Sequence, residues 1–183
     1  LHAIGDPALT RQQLLRIQRS AQDMAQLIAL LLALAKDPSR LAQASEPIAL
    51  DGLLPEIVED HLHLTEGKAL ALVLVPPPPC TVVAPPGIVR AAIGNLLRNA
   101  IRHTPAGGLL AITLARAGGE ARLTVADGGH GIAPKLAERL FQPFSAGAGG
   151  TGSGLGLAIC HEIVQTLGGR IQLVNRMHNG RVD

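Results

Sequence analysis

The sequence has very few aromatic residues, with two Phe, no Tyr and no Trp in 183 residues. Proteins that bind single-stranded nucleic acid usually stack bases on such rings and follow the backbone with a basic groove. The formal net charge is only +2, and no long run of Lys and Arg occurs. The composition therefore predicts no nucleic-acid partner.

Cysteines and long apolar runs are also scarce. Cys80 and Cys160 are the two cysteines, and their spacing favours neither a disulfide framework nor a metal knuckle. We interpret both as small buried hydrophobic side chains. The longest apolar run, residues 27–35, is shorter than the ~20 residues of a membrane-spanning helix. We therefore expect this segment to be soluble.

The first part of the chain carries a heptad pattern over residues 11–36. Apolar side chains recur there at alternating steps of three and four: Leu14, Ile17, Ala21, Met24, Ile28, Leu31 and Ala35. This spacing is typical of a helix in a bundle, although a helix packed on its own domain is an alternative. Asp37-Pro38 ends the pattern, and a polar connector follows. We predict a helical region over residues 1–44 and a second domain over residues 45–183.

The second domain alternates predicted strands and helices. Its strands are expected at residues 47–50, 68–75, 81–84, 109–116, 121–126 and 170–174. Its helices are expected at residues 52–64, 88–103, 133–140 and 154–167. The order indicates an α/β (α+β) two-layer sandwich, with helices on one face of a mixed sheet.

The helix predicted at residues 88–103 separates apolar from polar side chains. Val89, Ile93, Leu97 and Ile101 lie on the side that faces the sheet. Asn95, Asn99 and Arg102 share another stripe, because residues three and four apart lie on one helical face. Asn is a mediocre helix former, and its amide oxygen suits Mg²⁺. The stripe therefore indicates a ligand, although exposed helix amides are the alternative.

Asp127 ends a predicted strand and is followed by Gly128-Gly129-His130-Gly131. A carboxylate at a strand end can accept a hydrogen bond from the exocyclic amine of adenine, and glycines let the backbone approach a flat ligand. The alternative is an Asp that opens a plain turn. This motif predicts an adenine site.

Phe141-Gln-Pro-Phe144 precedes a loop of Ser, Ala, Gly and Thr that leads into the next helix through Gly152, Ser153, Gly154, Leu155 and Gly156. Such a composition is typical of a mobile lid, or of a Gly/Ser linker. Glycine amides at a helix N-terminus favour phosphate. The apolar helix directly behind the loop argues for the phosphate site.

In this order, the four motifs resemble the N, G1, F and G2 boxes of the ATP-binding domain of bacterial sensor histidine kinases. The resemblance covers roughly residues 45–183 and implies the Bergerat fold, preceded by one long dimerisation helix. It implies binding of ATP or ADP with Mg²⁺, and donation of the γ-phosphoryl group to a histidine and then to an aspartate of a response regulator. It also implies a homodimer formed through the helix at residues 11–36.

The resemblance assigns a role to each candidate residue. Asn99 is expected to bind Mg²⁺, Asn95 and Arg102 to lie near the phosphates, and His103 to stack beside adenine. Asp127 accepts from the adenine amine, and Gly129 and Gly131 shape the pocket. The lid and the phosphate loop are assigned Phe141, Phe144, Gly152, Ser153, Gly154, Leu155 and Gly156. Two departures are Gly128, where the family has a polar side chain, and Ser145, where it has a basic one.

No credible phosphoacceptor is present, because Ala3 and Asp6 replace the acid and the Thr expected after His2. We therefore expect the acceptor upstream of Leu1 and a catalytic domain truncated at its C-terminal strand. The chain would be the cytoplasmic part of an inner-membrane sensor. Two alternatives remain: a related ATPase without kinase activity, and a degenerate dimerisation or nucleotide-binding module.

Overall fold

The computed structural model describes residues 42–137, 139–143, 145, 154–175, 177–178 and 181–182. The predicted heptad helix at residues 11–36 lies outside this part of the chain, and the predicted boundary at residues 44 and 45 stays a prediction. Within the described residues, no helix combines the length and apolar character needed to cross a membrane.

Strands and helices are numbered in chain order. The strands are β1 (Glu46–Ala49), β2 (Ala71–Leu74), β3 (Thr81–Ala84), β4 (Leu109–Ala117), β5 (Glu120–Asp127), β6 (Met177–His178) and β7 (Arg181–Val182). The helices are α1 (Leu50–His61), α2 (His63–Glu66), α3 (Pro86–His103), α4 (Pro134–Ala137) and α5 (Gly156–Thr166).

The central sheet is mixed, in the order β2-β4-β5. β2 lies parallel to β4, and β4 pairs antiparallel with β5. Gly118 and Gly119 form the two-residue turn between β4 and β5 with positive φ angles of 59° and 81°, which glycine adopts at little cost. β1 and β3 form a separate antiparallel pair. The parallel pair needs a crossover connection, which α3 supplies.

One face of the central sheet packs against the helices. Leu110, Ile112 and Leu114 alternate along β4 and are buried, as period-2 side-chain placement requires. Ile112 and Leu114 share one core with Leu97 of α3 and Leu54 of α1. Each fully buried Leu or Ile contributes ~1.5–3 kcal/mol. The predicted two-layer α/β architecture is confirmed.

The strand predicted at residues 170–174 is wrong, because residues 170–175 form no regular secondary structure. Ile171 and Leu173 are half-buried, whereas Arg170, Gln172 and Val174 are exposed. The alternation of apolar side chains in residues 170–174 therefore reflects burial of one side of the segment and not strand pairing. A strand also needs a backbone partner, and no pairing within the described part of the chain includes this segment.

Candidate functional site

Helix α3 supplies four of the predicted site residues. Pro86 stands in its first turn, where the missing N–H costs nothing. At its other end, the N–H and the Oγ1 of the buried Thr104 both donate to the carbonyl of Ala100, at 2.9 and 2.7 Å. The apolar stripe through Ile93 and Leu97 faces the core. These contacts fix both the ends and the rotation of the helix.

The predicted stripe becomes more exposed towards the end of α3. Asn95 is only 3% exposed, and its Oδ1 accepts a hydrogen bond from Arg98. Asn99 is half-buried, and Arg102 and His103 reach the surface. The structure therefore brings all four onto one helix as predicted, with Asn95 more deeply enclosed than an exposed helix amide would be.

Lys68 holds the C-terminal end of α3, and the sequence analysis missed it. Its Nζ donates to the carbonyls of Ile101, Arg102 and Thr104 at 3.0, 2.6 and 2.9 Å. A cation is favourable here because the last carbonyls of a helix have no intrahelical partners and carry partial negative charge. Lys68 lies far from α3 in the sequence, so no local pattern could have found it.

The end of β5 meets the end of α3 at Gly129. The N–H of Gly129 donates to Oδ1 of Asp127 at 2.9 Å. A Cβ at Gly129 would lie 2.6 Å from that oxygen and 3.1 Å from the carbonyl oxygen of His103. No side chain fits at this position without moving Asp127 or the end of α3. The turn at residues 127–131 is therefore closely packed against the end of α3. A plain surface turn would not require glycine for such packing.

Gly128 differs from Gly129 in this respect. Its N–H donates to the Leu109 carbonyl at 3.1 Å, and a Cβ there would lie 3.6 Å from that oxygen, an ordinary van der Waals separation. Steric crowding does not require glycine at 128. The departure from the family pattern therefore removes a side chain for which the fold has room.

The electrostatic surroundings of His103 favour its neutral form. Partial burial is the main cause that lowers the pKa of its imidazole, and the charge of Arg102 lowers it further. Asp127 opposes this effect, and Lys68 adds to it. A neutral imidazole at this place can stack on a base without adding a positive charge to that of Arg102.

Helix α5 is fixed to α3 where the glycine-rich loop enters it. Leu155, which is 3% exposed, packs with Ala92 and Ile159. The thiol of Cys160 donates to the Ala92 carbonyl at 3.4 Å. Gly154 has a φ of 68°, which favours glycine. Gly152, Ser153 and Phe144 lie outside the described residues, so their predicted roles stay predictions.

Both cysteines are buried, as expected. Burial raises the pKa of the Cys160 thiol to about 12, although the nearby Arg98 opposes the shift. The thiol is therefore neutral at physiological pH and acts as a small side chain in the interface between α3 and α5.

Two contacts anchor the segments beside the site. Phe141 stacks on His161 of α5, with ring centroids 4.9 Å apart and planes inclined by 30°. The side chain of Asn175 bonds both the N–H and the carbonyl of Ile132, at 2.7 and 2.8 Å, one residue after Gly131 (φ 72°). Sequence reasoning placed Phe141 at the lid but missed Asn175, whose partner is distant in the chain.

The donor set around α3 fits a metal that is carried by phosphates. Among the described residues, no group of three or more His, Cys, Asp or Glu could hold a metal ion. The amide of Asn99 is a single hard oxygen donor, half-buried on α3. Mg²⁺ keeps several waters and needs few protein ligands when it bridges phosphate oxygens. Asn99 is therefore compatible with Mg²⁺ bound with a nucleotide, and the described residues form no all-protein metal cage.

Comparison with known proteins adds independent information. The family described as "Histidine kinase-, DNA gyrase B-, and HSP90-like ATPase" matches residues 86–182. Sensor protein kinase PmrB of Pseudomonas aeruginosa is 33% identical over 175 residues, which are 92% of this chain and 36% of PmrB. Sensor histidine kinase AruS of the same species is 37% identical over 158 residues, 78% of this chain and 16% of AruS. The chain thus spans only about a sixth to a third of these relatives.

Solved structures show the same fold. Acinetobacter baumannii histidine kinase AdeS matches with a TM-score of 0.71 and 25% identity, covering 91% of this chain and 77% of that one. Full-length ShkA in complex with AMPPNP matches with a TM-score of 0.65 and 27% identity, covering 86% of this chain and 34% of ShkA. Both likenesses extend over most of the chain.

Proposed function

Since this chain belongs to the histidine kinase-, DNA gyrase B- and HSP90-like ATPase family, as the ATP-binding catalytic domain of a sensor histidine kinase, we propose that it binds ATP with Mg²⁺ and donates the γ-phosphoryl group to a histidine side chain. The observation that carries this proposal is the close junction of Asp127, Gly129 and His103. To this junction we assign Asp127 as the acceptor for the adenine amine and His103, whose pKa is lowered mainly by burial, as the ring beside the base.

At the adenine end, Asp127 distinguishes the base. Its Oδ1 is held by the Gly129 N–H, and we assign its other oxygen to the exocyclic amine of adenine. Guanine presents a carbonyl oxygen at the equivalent place, so a carboxylate would repel it. Gly129 lets Asp127 and the end of α3 approach each other closely, and we assign the His103 imidazole to stacking beside the base.

At the phosphate end, Asn99 binds Mg²⁺, which supplies charge neutralisation when it is bound. Arg102 adds a cation near the phosphates. We also assign the first backbone N–H groups of α5 to the phosphates, because the first N–H groups of a helix have no intrahelical partner. Phosphoryl transfer then needs mainly correct positioning and neutralised charge, so these residues align the γ-phosphate for in-line attack by the acceptor imidazole.

The whole protein would act as a dimer. The heptad pattern of residues 11–36 supports a helix that pairs with a second copy, and the relatives named sensor kinases support a response-regulator receiver domain as the next phosphoryl acceptor. We place this domain on the cytoplasmic side of a sensor in the inner membrane.

Calorimetric titration of the 183-residue chain tests the nucleotide site directly. We expect ADP and AMPPNP to bind, Mg²⁺ to strengthen AMPPNP binding, and GDP to bind much more weakly than ADP. Equal affinity for ADP and GDP would contradict the role of Asp127. Absence of binding by any nucleotide would contradict the proposed function as a whole.

A further inference from the structure

A polar cluster lies between α1, α3 and α5, and it joins Asn95 to residues to which the motifs assign no role. It consists of His61 at the end of α1, Asn95 and Arg98 on α3, and Cys160 on α5. The neighbouring contact of Leu155, Ile159 and Ile163 with Ala92 is apolar. A charged guanidinium in such surroundings is costly unless its N–H groups are hydrogen-bonded. Arg98 therefore needs a reason to be there.

The hydrogen bonds of this cluster fix which nitrogen of His61 donates and which accepts. A nitrogen of Arg98, Nη1, lies 3.2 Å from Nε2 of His61, and Nδ1 of His61 lies 2.7 Å from the Ile57 carbonyl oxygen. A carbonyl only accepts and a guanidinium only donates. Nδ1 of His61 must therefore carry the proton, and Nε2 must accept from Arg98. The geometry requires a neutral imidazole in one tautomer.

Arg98 is held by neutral acceptors, unlike the other arginine that α3 directs at α1. Arg90 pairs with the carboxylates of Glu56 and Asp60 at 2.6 and 3.2 Å. In the part of the chain that the structure describes, Arg98 makes no ion pair with a carboxylate; its Nη2 donates to Oδ1 of Asn95 instead. Burial lowers the pKa of the Arg98 guanidinium, as expected for a cation whose charge is poorly solvated.

A glycine makes room for this arrangement. A Cβ at Gly94 would lie 3.3 Å from Nη1 of Arg98 and 3.3 Å from Cε1 of His61. Gly within a helix costs about 0.5–1 kcal/mol relative to Ala. Gly94 therefore lowers the intrinsic stability of α3 but leaves space for the contact between His61 and Arg98.

We propose that Arg98, held by His61, is a positioning residue that fixes the side-chain amide of Asn95 so that its N–H groups face the phosphates of the nucleotide. The inference rests on the proposed function. An amide whose oxygen is bound by Arg98 directs its nitrogen away from the guanidinium, because the two atoms diverge from one carbon. Asn95 then donates to phosphate, whereas Asn99 offers its oxygen to Mg²⁺.

Protonation of His61 would undo this arrangement, because Nε2 could no longer accept from Arg98. The charged and titratable groups that face His61 are Arg98 from α3, Asp60 from its own helix α1, and His63 from α2. Burial is the largest cause that lowers the pKa of His61, and the Ile57 carbonyl opposes it. The neutral form therefore persists below the ordinary value of 6.5.

A double-mutant cycle with AMPPNP and Mg²⁺ tests the proposal. Arg98→Met keeps the apolar stem and removes the guanidinium, and we expect about threefold to tenfold weaker binding, the effect of one hydrogen bond. Asn95→Ala should cause little further loss in the Arg98→Met background, because the two act as one unit. Arg90→Met is the matched control, and its affinity should stay within about twofold of wild type.

Rescue and spectroscopy separate positioning from general structural support. Arg98→Lys keeps the charge but lacks the planar fork that reaches two acceptors, so it should bind as weakly as Arg98→Met. Nitrogen NMR should show the proton of wild-type His61 on Nδ1. Addition of AMPPNP should shift the Asn95 side-chain amide signal in wild type and not in Arg98→Lys, which keeps a cation and is the variant more certain to fold.

Three outcomes would each overturn the positioning role. They are additive losses of affinity in the double-mutant cycle, wild-type affinity of Arg98→Lys for AMPPNP, and a proton on Nε2 of His61. A wild-type chain that binds no nucleotide would instead overturn the proposed function, and the tautomer of His61 would still report on the cluster itself. The two failures are therefore distinguishable.

Discussion

The backbone N–H of Gly129 donates a 2.9 Å hydrogen bond to Oδ1 of Asp127. This bond fixes the orientation of the carboxylate, because Oδ1 is held within the turn. Gly129 has no space for a side chain, since a Cβ would approach that oxygen to 2.6 Å. An Asn at position 127 would keep its amide oxygen on the Gly129 N–H and place its NH₂ group where the second carboxylate oxygen lies.

Asp127→Asn should therefore weaken adenine nucleotides. The substitution places an N–H donor opposite the adenine amine, which is also a donor, and removes a charged acceptor. The expected loss of binding free energy is about 1.5–3 kcal/mol, which corresponds to roughly tenfold to a hundredfold in affinity. The loss should be the same with Mg²⁺ and with EDTA. Titration of ADP measures it, with Asp60→Asn on the exposed face of α1 as the control. Unchanged ADP affinity would show that Asp127 does not bind the base.

Asn99→Ala should act only through the metal. If the amide oxygen of Asn99 binds Mg²⁺, its removal weakens AMPPNP in the presence of Mg²⁺, by about tenfold for a hydrogen-bond-sized loss. Binding in EDTA should change little. The same calorimetric titration under both conditions decides the question, and an equal loss in EDTA would contradict the assignment of Asn99 as the metal ligand.

Lys68→Met should lower the free energy of unfolding by about 1–3 kcal/mol. The ammonium of Lys68 bonds three carbonyls at the end of α3, and bonds to charged groups exceed neutral ones in strength. Partial solvent exposure of Lys68 keeps the loss towards the lower value. Urea unfolding measures the loss, and Arg122→Met on the exposed side of β5 is the control. The pKa of His103 should also rise, because Lys68 is one cause that lowers it.

Ala69→Gly should stabilise the domain. Ala69 has a φ of 48°, the left-handed conformation that disfavours residues with a Cβ. Relief of this strain is expected to add about 1 kcal/mol. Gly168→Ala is the reverse comparison, since Gly168 has a φ of 74° and open space around its Cβ position; it should destabilise by a similar amount. Denaturant unfolding of both variants is the measurement, and a destabilised Ala69→Gly would contradict the backbone argument.

Stability should fall as the pH decreases below 6.5. Burial lowers the pKa of both His61 and His103 from the ordinary value of 6.5. In the interval between 6.5 and the lower folded values, the unfolded chain binds more protons than the folded chain, so the free energy of unfolding decreases as the pH falls. The contribution is complete above 6.5 and is lost as the pH falls through the folded values. Urea unfolding between pH 7.5 and 5 measures this effect. The free energy of unfolding should change less with pH in the double variant His61→Gln/His103→Gln than in wild type.

Local patterns predicted the fold because its elements are bounded by local signals. Strand β3 occupies residues 81–84 as predicted, between prolines on either side. Helix α3 extends the predicted helix by only two residues, to Pro86. The segment at residues 170–174 shows the limit of the same reasoning. Its alternation is real, but strand formation depends on a partner that the sequence of the segment does not encode.

The candidate site was predicted less completely than the fold. Asn95, Asn99, Arg102 and His103 lie on α3 as expected, and their ligand roles stay predictions. The residues that hold them were missed, including Lys68 and Arg98. Their partners lie on other elements, far along the chain, and single-sequence periodicity reports only neighbours on the same helix or strand.

The parallel pairing of β2 with β4 joins strands that are far apart in the sequence, and we expect it to form late in folding. β4 and β5 meet through a two-residue turn and can pair within microseconds. β2 reaches β4 only after the long segment with α3 has closed, which is entropically costly and slow. We expect His103 and Gly129, which lie on different elements, to come together only after this pairing has formed. A nucleotide that binds there should therefore slow unfolding and leave the folding rate nearly unchanged, because its site forms after the rate-limiting barrier.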